Sequence, residues 1–236
     1  MKVVYKFVKR AFDFTMSLLA ILVTGPLWGI FALAIKLSSK GPVFFTTDRI
    51  GKDRKPFTLY KFRTMHEYVP DPENPEKKME GHFITNEDRV FKFGGLLRKC
   101  KLDELPQLLN ILKGEMSIVG PRPMSPRGVE LYYNGEYERI TSVQPGLACL
   151  DSLYDYAHGE MVVTDNTEYK QKVLPVRTEL AAMYVDKRSV GLDIYCICRT
   201  VELMWKIAVK KQKEFPLTGF EKKATVRIFG KDSVNK

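Results

Sequence analysis

Residues 101–123, KLDELPQLLNILKGEMSIVGPRP, carry the pattern on which the reading of this chain turns. Leu102, Leu105, Leu108, Leu109 and Leu112 recur at the three-and-four spacing of one helix face. Pro106 is tolerated only in a first helical turn, so the spacing predicts a helix over 101–113 that starts close to Asp103. Asp103 and Glu104 then stand where free backbone N–H groups and the helix dipole favour negative charge. Two readings are open. In one, Asp103 caps the helix, Glu104 complements its dipole, and the Gly-Pro-Arg-Pro of 120–123 is a rigid turn. In the other, the pair is a carboxylate nucleophile at a phosphate site.

The neighbouring cations bear on that choice. Arg98, Lys99 and Lys101 precede the pair, Arg122 lies in the rigid turn, Lys61 and Arg63 belong to LYKFRTM (59–65), and Arg89 opens the next element. Such an assembly neutralises a diphosphate and keeps a nearby carboxylate ionised. Two adjacent carboxylates can also share Mg²⁺, an ion that prefers oxygen ligands and phosphate oxygens. Taken singly, each of these residues is an ordinary solvated charge.

The 236 residues, 44% hydrophobic and 28% charged, describe a folded chain able to bury a core. A formal net charge of +10 favours anionic partners: nucleic acid, phosphorylated substrates or an acidic membrane leaflet. Cys100, Cys149, Cys196 and Cys198 form no CxxC pair, and the last two point to different faces of a helix. They read as structural thiols in a reducing, cytoplasm-facing compartment. The three histidines form no HExxH arrangement, which argues against a zinc site.

The stretch AFDFTMSLLAILVTGPLWGIFALAIKL (11–37) is the most apolar of the chain. From Phe14 to Ile35 it bears no charge, and as a straight helix it would reach about 33 Å, enough to cross a bilayer core. Pro26, after Gly25, falls near its middle. No small-residue cleavage site follows, so a signal peptide fits poorly. Lys2, Lys6, Lys9 and Arg10 precede the segment, and Lys36, Lys40 and Arg49 follow it. Basic residues at both ends predict that both stay cytoplasmic and that the helix bends back at Gly25-Pro26. A kinked spanning helix is the other reading.

Further on, VFF and FTLYKF within 41–65 read as two strands around a break at Gly51-Lys52-Asp53. Residues 66–88, with three prolines among charges, read as a surface loop that can close over a site. Residues 178–213 read as two helices parted near Gly191. The second, over about 192–213, suits either a membrane interface or a core with a solvated basic face. The organisation expected is a membrane helix over 1–38, a catalytic domain over 39–213 and a peripheral tail over 214–236.

Three blocks, GPVFFTTDRIGKDRKPFTLYKFRTM (41–65), LRKCKLDELPQLLNILKGEMSIVGPRP (97–123) and MYVDKRSVGLDI (183–194), resemble the bacterial sugar transferases, the monotopic phosphoglycosyl transferases. The resemblance extends over residues 5–205. It implies an α/β fold, helix-rich with a small sheet, in which an N-terminal re-entrant membrane helix, broken at Gly25 and Pro26, joins one cytosolic catalytic domain. The implied reaction moves a sugar-1-phosphate from a nucleotide sugar, usually a UDP-sugar, to undecaprenyl phosphate. By position, Asp103 is the implied nucleophile and Glu104 its partner in binding Mg²⁺, the implied cofactor. Arg98 and Arg122 match phosphate-binding positions, and Lys61, Arg63 and Arg89 match further basic ones. The implied place is the inner, cytoplasmic membrane of a bacterium, with the catalytic domain facing the cytoplasm and membrane lipid as a partner. There the reaction begins glycan assembly (capsule, exopolysaccharide, O-antigen or glycoprotein). A second copy of the chain is a further candidate partner.

The chain also departs from the family's pattern. Gly25-Pro26 replaces Ser-Pro, with Thr24 as the nearby hydroxyl. An Arg-Pro-Gly-Ile-Thr-Gly block followed by Ala-Gln-Val-Asn-Gly-Arg is replaced by VQPGLACLDSLYDYAHGE (143–160), with Gln144 in the arginine's place. Ala181 stands where an Asp is common, three residues before Tyr184. These departures keep a second function in view: a non-catalytic membrane-surface homologue in polysaccharide assembly. A nucleic-acid binder is a third, since LYKFRTM mixes aromatics with cations, but the uncharged membrane segment argues against nucleic acid as a partner.

Overall fold

The structure, a computed structural model, describes residues 2–67, 89–159, 163, 165–210, 212 and 214–234. The loop expected over 66–88 falls outside them except for its first two residues. The chain begins with α1 (Lys2–Ser38), which has a mean hydropathy of 2.3 in its most apolar stretch and is long enough to cross a membrane. Gly25 and Pro26, expected to break this helix, lie inside it without ending it. Pro26 has no N–H for the preceding turn. Around it, Thr24 Oγ1 donates to the Ala20 carbonyl at 2.7 Å and accepts from Trp28 Nε1 at 3.1 Å. Trp28 and Phe31 then pack edge-on against Phe62, each at 5.7 Å.

One face of α1 lies on the body of the protein and the other is bare. Asp13, Ser17 and Ile35 are buried, whereas Phe7, Leu22, Val23, Ile30, Leu33 and Leu37 are exposed. Both ends are fastened to that body. At the N-terminal end, Tyr5 Oη and Lys9 Nζ donate to Asp193 Oδ2 at 2.9 and 3.0 Å. At the C-terminal end, Arg63 clasps the exit of the helix. Its Nη2 donates to Ser39 O at 2.7 Å, its Nη1 to Ser39 Oγ and Lys40 O at 2.8 and 2.7 Å, and its Nε to Pro42 O at 2.6 Å.

Strands β1 (Phe44–Ile50) and β2 (Pro56–Phe62) pair antiparallel, from Phe44 opposite Phe62 to Ile50 opposite Pro56, around the break expected at Gly51-Lys52-Asp53. α2 (Lys92–Lys99) follows. The single helix expected over 101–113 is instead a short 3₁₀ turn, Leu102–Glu104, and then α3 (Gln107–Lys113). Lys101 at φ 54° breaks the run, and Pro106, lacking an N–H, restarts it as the residue before α3. Asn110, wholly buried, fixes α3 to β2 by donating to Thr58 O at 2.8 Å and accepting from Tyr60 N at 3.3 Å.

A second sheet joins β3 (Ser117–Val119) in parallel with β4 (Gly146–Ala148), so the described residues form two small two-stranded sheets where one was expected. Here the backbones approach closely: a Cβ on Gly146 would fall 2.3 Å from Gly120 N, which only glycine avoids. The remaining helices are α4 (Pro126–Tyr132), α5 (Leu150–Tyr154) with a π turn over Asp155–Gly159, α6 (Asn166–Glu168), α7 (Leu174–Lys187), α8 (Val190–Ala208) and α9 (Gly219–Phe229). The main core gathers around α7, where Val176, Leu180 and Tyr184 are buried against α5 and α9.

The parting of α7 from α8, expected near Gly191, falls at Arg188-Ser189 because Ser189 Oγ accepts from Leu192 N and caps α8. α8 combines the two characters expected of it: Leu192, Cys196, Leu203 and Ile207 face inward, while Val190, Ile194, Val201 and Trp205 form an exposed stripe. The segment expected as a peripheral tail instead packs α9 into the core. Thr218 and Glu221 form a capping box, Ala224 and Thr225 are buried, and Arg227 Nη1 reaches Glu179 Oε1 at 2.9 Å.

Arg63→Met should cost about 3 kcal/mol of stability or more, because it strands several carbonyls and the Ser39 hydroxyl that the guanidinium now satisfies. Thermal unfolding of detergent-solubilised protein measures this. An unchanged melting temperature would show that the exit of α1 needs no clasp.

Candidate active site

Asp103 and Glu104 close the 3₁₀ turn before α3, and they are only 8% and 7% exposed. Neither provides the helix cap that one reading assigned to Asp103. α3 starts four residues beyond Asp103, with Pro106 in the capping position and no side-chain cap. The Oδ1 of Asp103 is buried with no hydrogen-bond partner among the described residues. Leaving an acceptor so is costly, and in a native fold it calls for a reason.

Glu104 is in the opposite situation. Lys61 Nζ donates to its Oε1 at 2.8 Å, and Arg122 Nη2 stands 3.5 Å from the same atom. Burial pushes the Glu104 carboxyl up, but Lys61, Arg122 and Lys101 outweigh it and hold the group well below the ordinary carboxylate range. For Asp103 burial prevails. The charge of Glu104 adds to it, Lys61, Lys101 and Arg98 oppose it, and the carboxyl lies above its ordinary value. The pair is therefore unequal. Glu104 is a fixed anion, and Asp103 is the group whose charge gains most from another cation.

Of the basic residues singled out in the sequence, Lys61, Arg98, Lys101 and Arg122 come to the pair. Arg63, expected at a phosphate, does not: its hydrogen bonds go to Ser39, Lys40 and Pro42 at the exit of α1, and it is buried there. β2 ends at Phe62, so Arg63 lies just past the strand, where its fork closes over the carbonyls of Ser39, Lys40 and Pro42. Arg89 stands at the bridge between Met65 and Val90 and donates to the His66 carbonyl at 2.8 Å.

The segment that departs most from the family's pattern supplies what holds Arg122. Asp151 Oδ2 accepts from the Arg122 backbone N at 3.0 Å, and Tyr156 Oη accepts from Nη1 at 3.1 Å. Asp155 Oδ2 lies 3.8 Å from Arg122 Nε and 3.2 Å from Arg177 Nη1, while its Oδ1 accepts from Tyr169 Oη at 2.6 Å. Lys101 Nζ sits 4.2 Å above the Tyr156 ring. None of Asp151, Asp155, Tyr156, Tyr169 or Arg177 stood out in the sequence. The one available signal was the four-residue spacing of Asp151 and Asp155, which places two carboxylates on one helical face.

Two other departures have definite places. Gln144 lines a cavity beside Arg10, which caps the C-terminal end of α3, whereas Asp103 and Glu104 precede its N-terminal end. Ala181 is buried one turn after Arg177 on α7, and Arg177 takes its counter-charge from Asp155.

Among the described residues there is no group of three or more His, Cys, Asp or Glu side chains arranged to hold a metal. The pair still fits Mg²⁺. That ion is usually held by one or two carboxylates together with substrate phosphates, and Asp103 offers an unpartnered oxygen beside a fixed anion.

Comparison with known proteins identifies the family. The profile described as bacterial sugar transferase matches residues 4–207, and the chain belongs to that family. The chain is 37% identical over 199 residues to an undecaprenyl-phosphate glucose phosphotransferase of Komagataeibacter xylinus, a match covering 82% of this chain and 35% of that protein. It is 35% identical over 193 residues to the uncharacterized sugar transferase EpsL of Bacillus subtilis (strain 168), covering 82% and 85%. It is 36% identical over 205 residues to a UDP-glucose:undecaprenyl-phosphate glucose-1-phosphate transferase of Escherichia coli (strain K12), covering 84% and 40%. The chain thus spans two fifths or less of the two glucose transferases, and most of EpsL.

Glu104→Gln should destabilise the protein at pH 7 by about 3 kcal/mol, since Lys61 and Arg122 lose their buried counter-charge. A carboxyl held below its ordinary 4.5 stabilises the fold above that value, and the benefit disappears as pH falls through the depressed folded value. The gap between wild type and variant should therefore be constant above about pH 5 and shrink only in stronger acid. Chemical unfolding between pH 4 and 8 tests this, and a gap that widens on acidification would contradict it.

Proposed function

We propose that this chain transfers a sugar-1-phosphate from a nucleotide sugar, a UDP-sugar by preference, to undecaprenyl phosphate at the cytoplasmic face of a bacterial membrane. The step would begin assembly of a glycan such as an exopolysaccharide. The observation that carries the proposal is Asp103: a buried carboxylate with an unpartnered oxygen, set beside a fixed anion and a cationic wall. Names of relatives support the substrates, since two of them are undecaprenyl-phosphate glucose transferases.

In this reading Asp103 is the nucleophile of a two-step exchange. Its carboxylate oxygen bonds to the β-phosphorus of the UDP-sugar while the bond to UMP breaks, leaving the sugar phosphate as an acyl phosphate on Asp103. An oxygen of the lipid phosphate then bonds to the same phosphorus, and the Asp103 carboxylate leaves. Two easier displacements replace one hard one. Mg²⁺, when bound at Asp103 and Glu104, would supply charge for the diphosphate. Lys61 and Arg122 keep Glu104 ionised. Arg122, held by Asp151, Asp155 and Tyr156, and Arg98 near Asp103 offer preorganised positive charge to the transferring phosphoryl group.

The membrane seating has its own support. α1 is fastened to the same body near both of its ends, at Asp193 and at Arg63, which favours a helix that enters and leaves by one face over one that crosses. Its bare apolar face and the stripe of α8 give two surfaces for lipid, and Lys210 sits 4.8 Å over the ring of Trp205 as interfacial pairs do. The basic residues flanking α1 favour the cytoplasmic side.

The test is UMP release from a panel of UDP-sugars by detergent-solubilised protein with Mg²⁺, with and without undecaprenyl phosphate. Lipid-dependent release is expected, abolished by Asp103→Asn and by chelation. Silence on every donor from folded protein, or full activity in Asp103→Asn, would overturn the assignment. Tyr156→Phe, which removes one hydrogen bond to Arg122, should slow turnover about tenfold with little change in melting temperature. An unaltered rate would show that Arg122 needs no such support.

A further inference from the structure

At the N-terminal end of α1, away from the catalytic pair, lies a cavity of about 140 Å³ between the helix and the body of the protein. Five cations line it: Lys6, Lys9 and Arg10 from α1, Lys52 from the turn between β1 and β2, and Arg188 from the end of α7. Among the described residues Asp13 is the only carboxylate in the lining. Some of this charge is already engaged. Lys9 donates to Asp193, Arg10 donates to the carbonyls of Ile111 and Leu112, and Asp13 accepts from Ile118 N. Lys52 has only a loose, exposed pairing with Asp53 at 3.9 Å, and Arg188 donates from Nη1 to Val185 O. Lys6 is exposed and has no hydrogen bond or ion pair among the described residues. Three cations thus face a cavity with one hydrogen-bonded carboxylate to oppose them.

We propose that this cavity binds the phosphate of an anionic phospholipid headgroup. The lining decides for lipid over a free anion. Beneath the cations lie Met116, Val119 and Val143, an apolar floor useless to inorganic phosphate but suited to a glycerol and the first methylenes of a chain. On the adjoining face of α1, Val4, Phe7 and Val8 are bare. Such a site rests on the membrane seating proposed above and is distinct from the catalytic pair, because Arg10 marks the opposite end of α3. A headgroup held there would bridge α1, the hairpin turn and the end of α7, the cavity's three walls. It would fix the depth of the helix beside the fastenings that Asp193, α3 and β3 already give it.

Native mass spectrometry of the full chain, released from detergent with equimolar phosphatidylglycerol and phosphatidylcholine, tests this directly. Wild type should retain one phosphatidylglycerol about tenfold in preference to phosphatidylcholine, given the usual attraction of surface lysines to anionic lipid. Asp103→Asn should keep the preference. Lys6→Gln, Lys52→Gln and Arg188→Gln together should abolish it, as should Gln144→Glu alone, which adds an opposing charge to the lining without removing any side-chain contact described above. Equal retention of both lipids, preference surviving in both variants, or displacement of the lipid by millimolar inorganic phosphate would overturn the inference. Retention of neither lipid, together with failure to float with vesicles, would overturn the membrane seating as well, and so separates the two failures.

Discussion

The structure depends on the way one apolar helix is fastened at both ends to a single body. Near one end of α1, Tyr5 and Lys9 converge on Asp193; at the other, the Arg63 guanidinium gathers Ser39, Lys40 and Pro42. Between them Arg10 caps α3 and Asp13 holds β3. The rest follows by contact. α3 is fixed to β2 through Asn110, β2 carries Lys61, and Lys61 meets Glu104 at the start of α3. The apolar helix and the carboxylate pair thus belong to one continuous set of hydrogen bonds.

What the sequence disclosed follows local physics. The leucine spacing of 102–112 marked a helical face, the β-rich composition of VFF and FTLYKF marked the hairpin, and the adjacent carboxylates stood out as a pair that the fold then buries. The i, i+2 spacing of Cys196 and Cys198 correctly put one inside and one outside. What stayed hidden was the choice of distant partners. Nothing near Arg63 says that its fork will close over carbonyls 21 to 24 residues earlier, so it counted among the phosphate ligands. The left-handed Lys101 could not be read either, because a lysine there carries no glycine-like signature. The capping role given to Asp103 failed with it.

The departures at 143–160 illustrate the same limit. As a string they look like the loss of a basic motif; in space they are the acidic and aromatic cradle of Arg122. Asp155, 1% exposed, is shared between Arg122 and Arg177, one from the rigid turn and one from α7. A buried ion pair contributes little net stability, since desolvation offsets most of the attraction. Its effect is geometric: it allows the Arg122 guanidinium few orientations, all close to Glu104.

The C-terminal helix has a consequence of another kind. The family's sequence signature ends at residue 207, yet Glu179, inside the region it covers, is wholly buried and draws its counter-charge from Arg227, beyond it. Losing Arg227 would leave that carboxylate in the interior without its ionic partner, whereas Arg227 without Glu179 keeps its exposed pairing with Glu136. Position 227 can therefore change safely only together with 179, and the border recognised in sequence is not a border of folding. An evolutionary exchange of C-terminal segments between members of this family would have to carry its own answer to position 179.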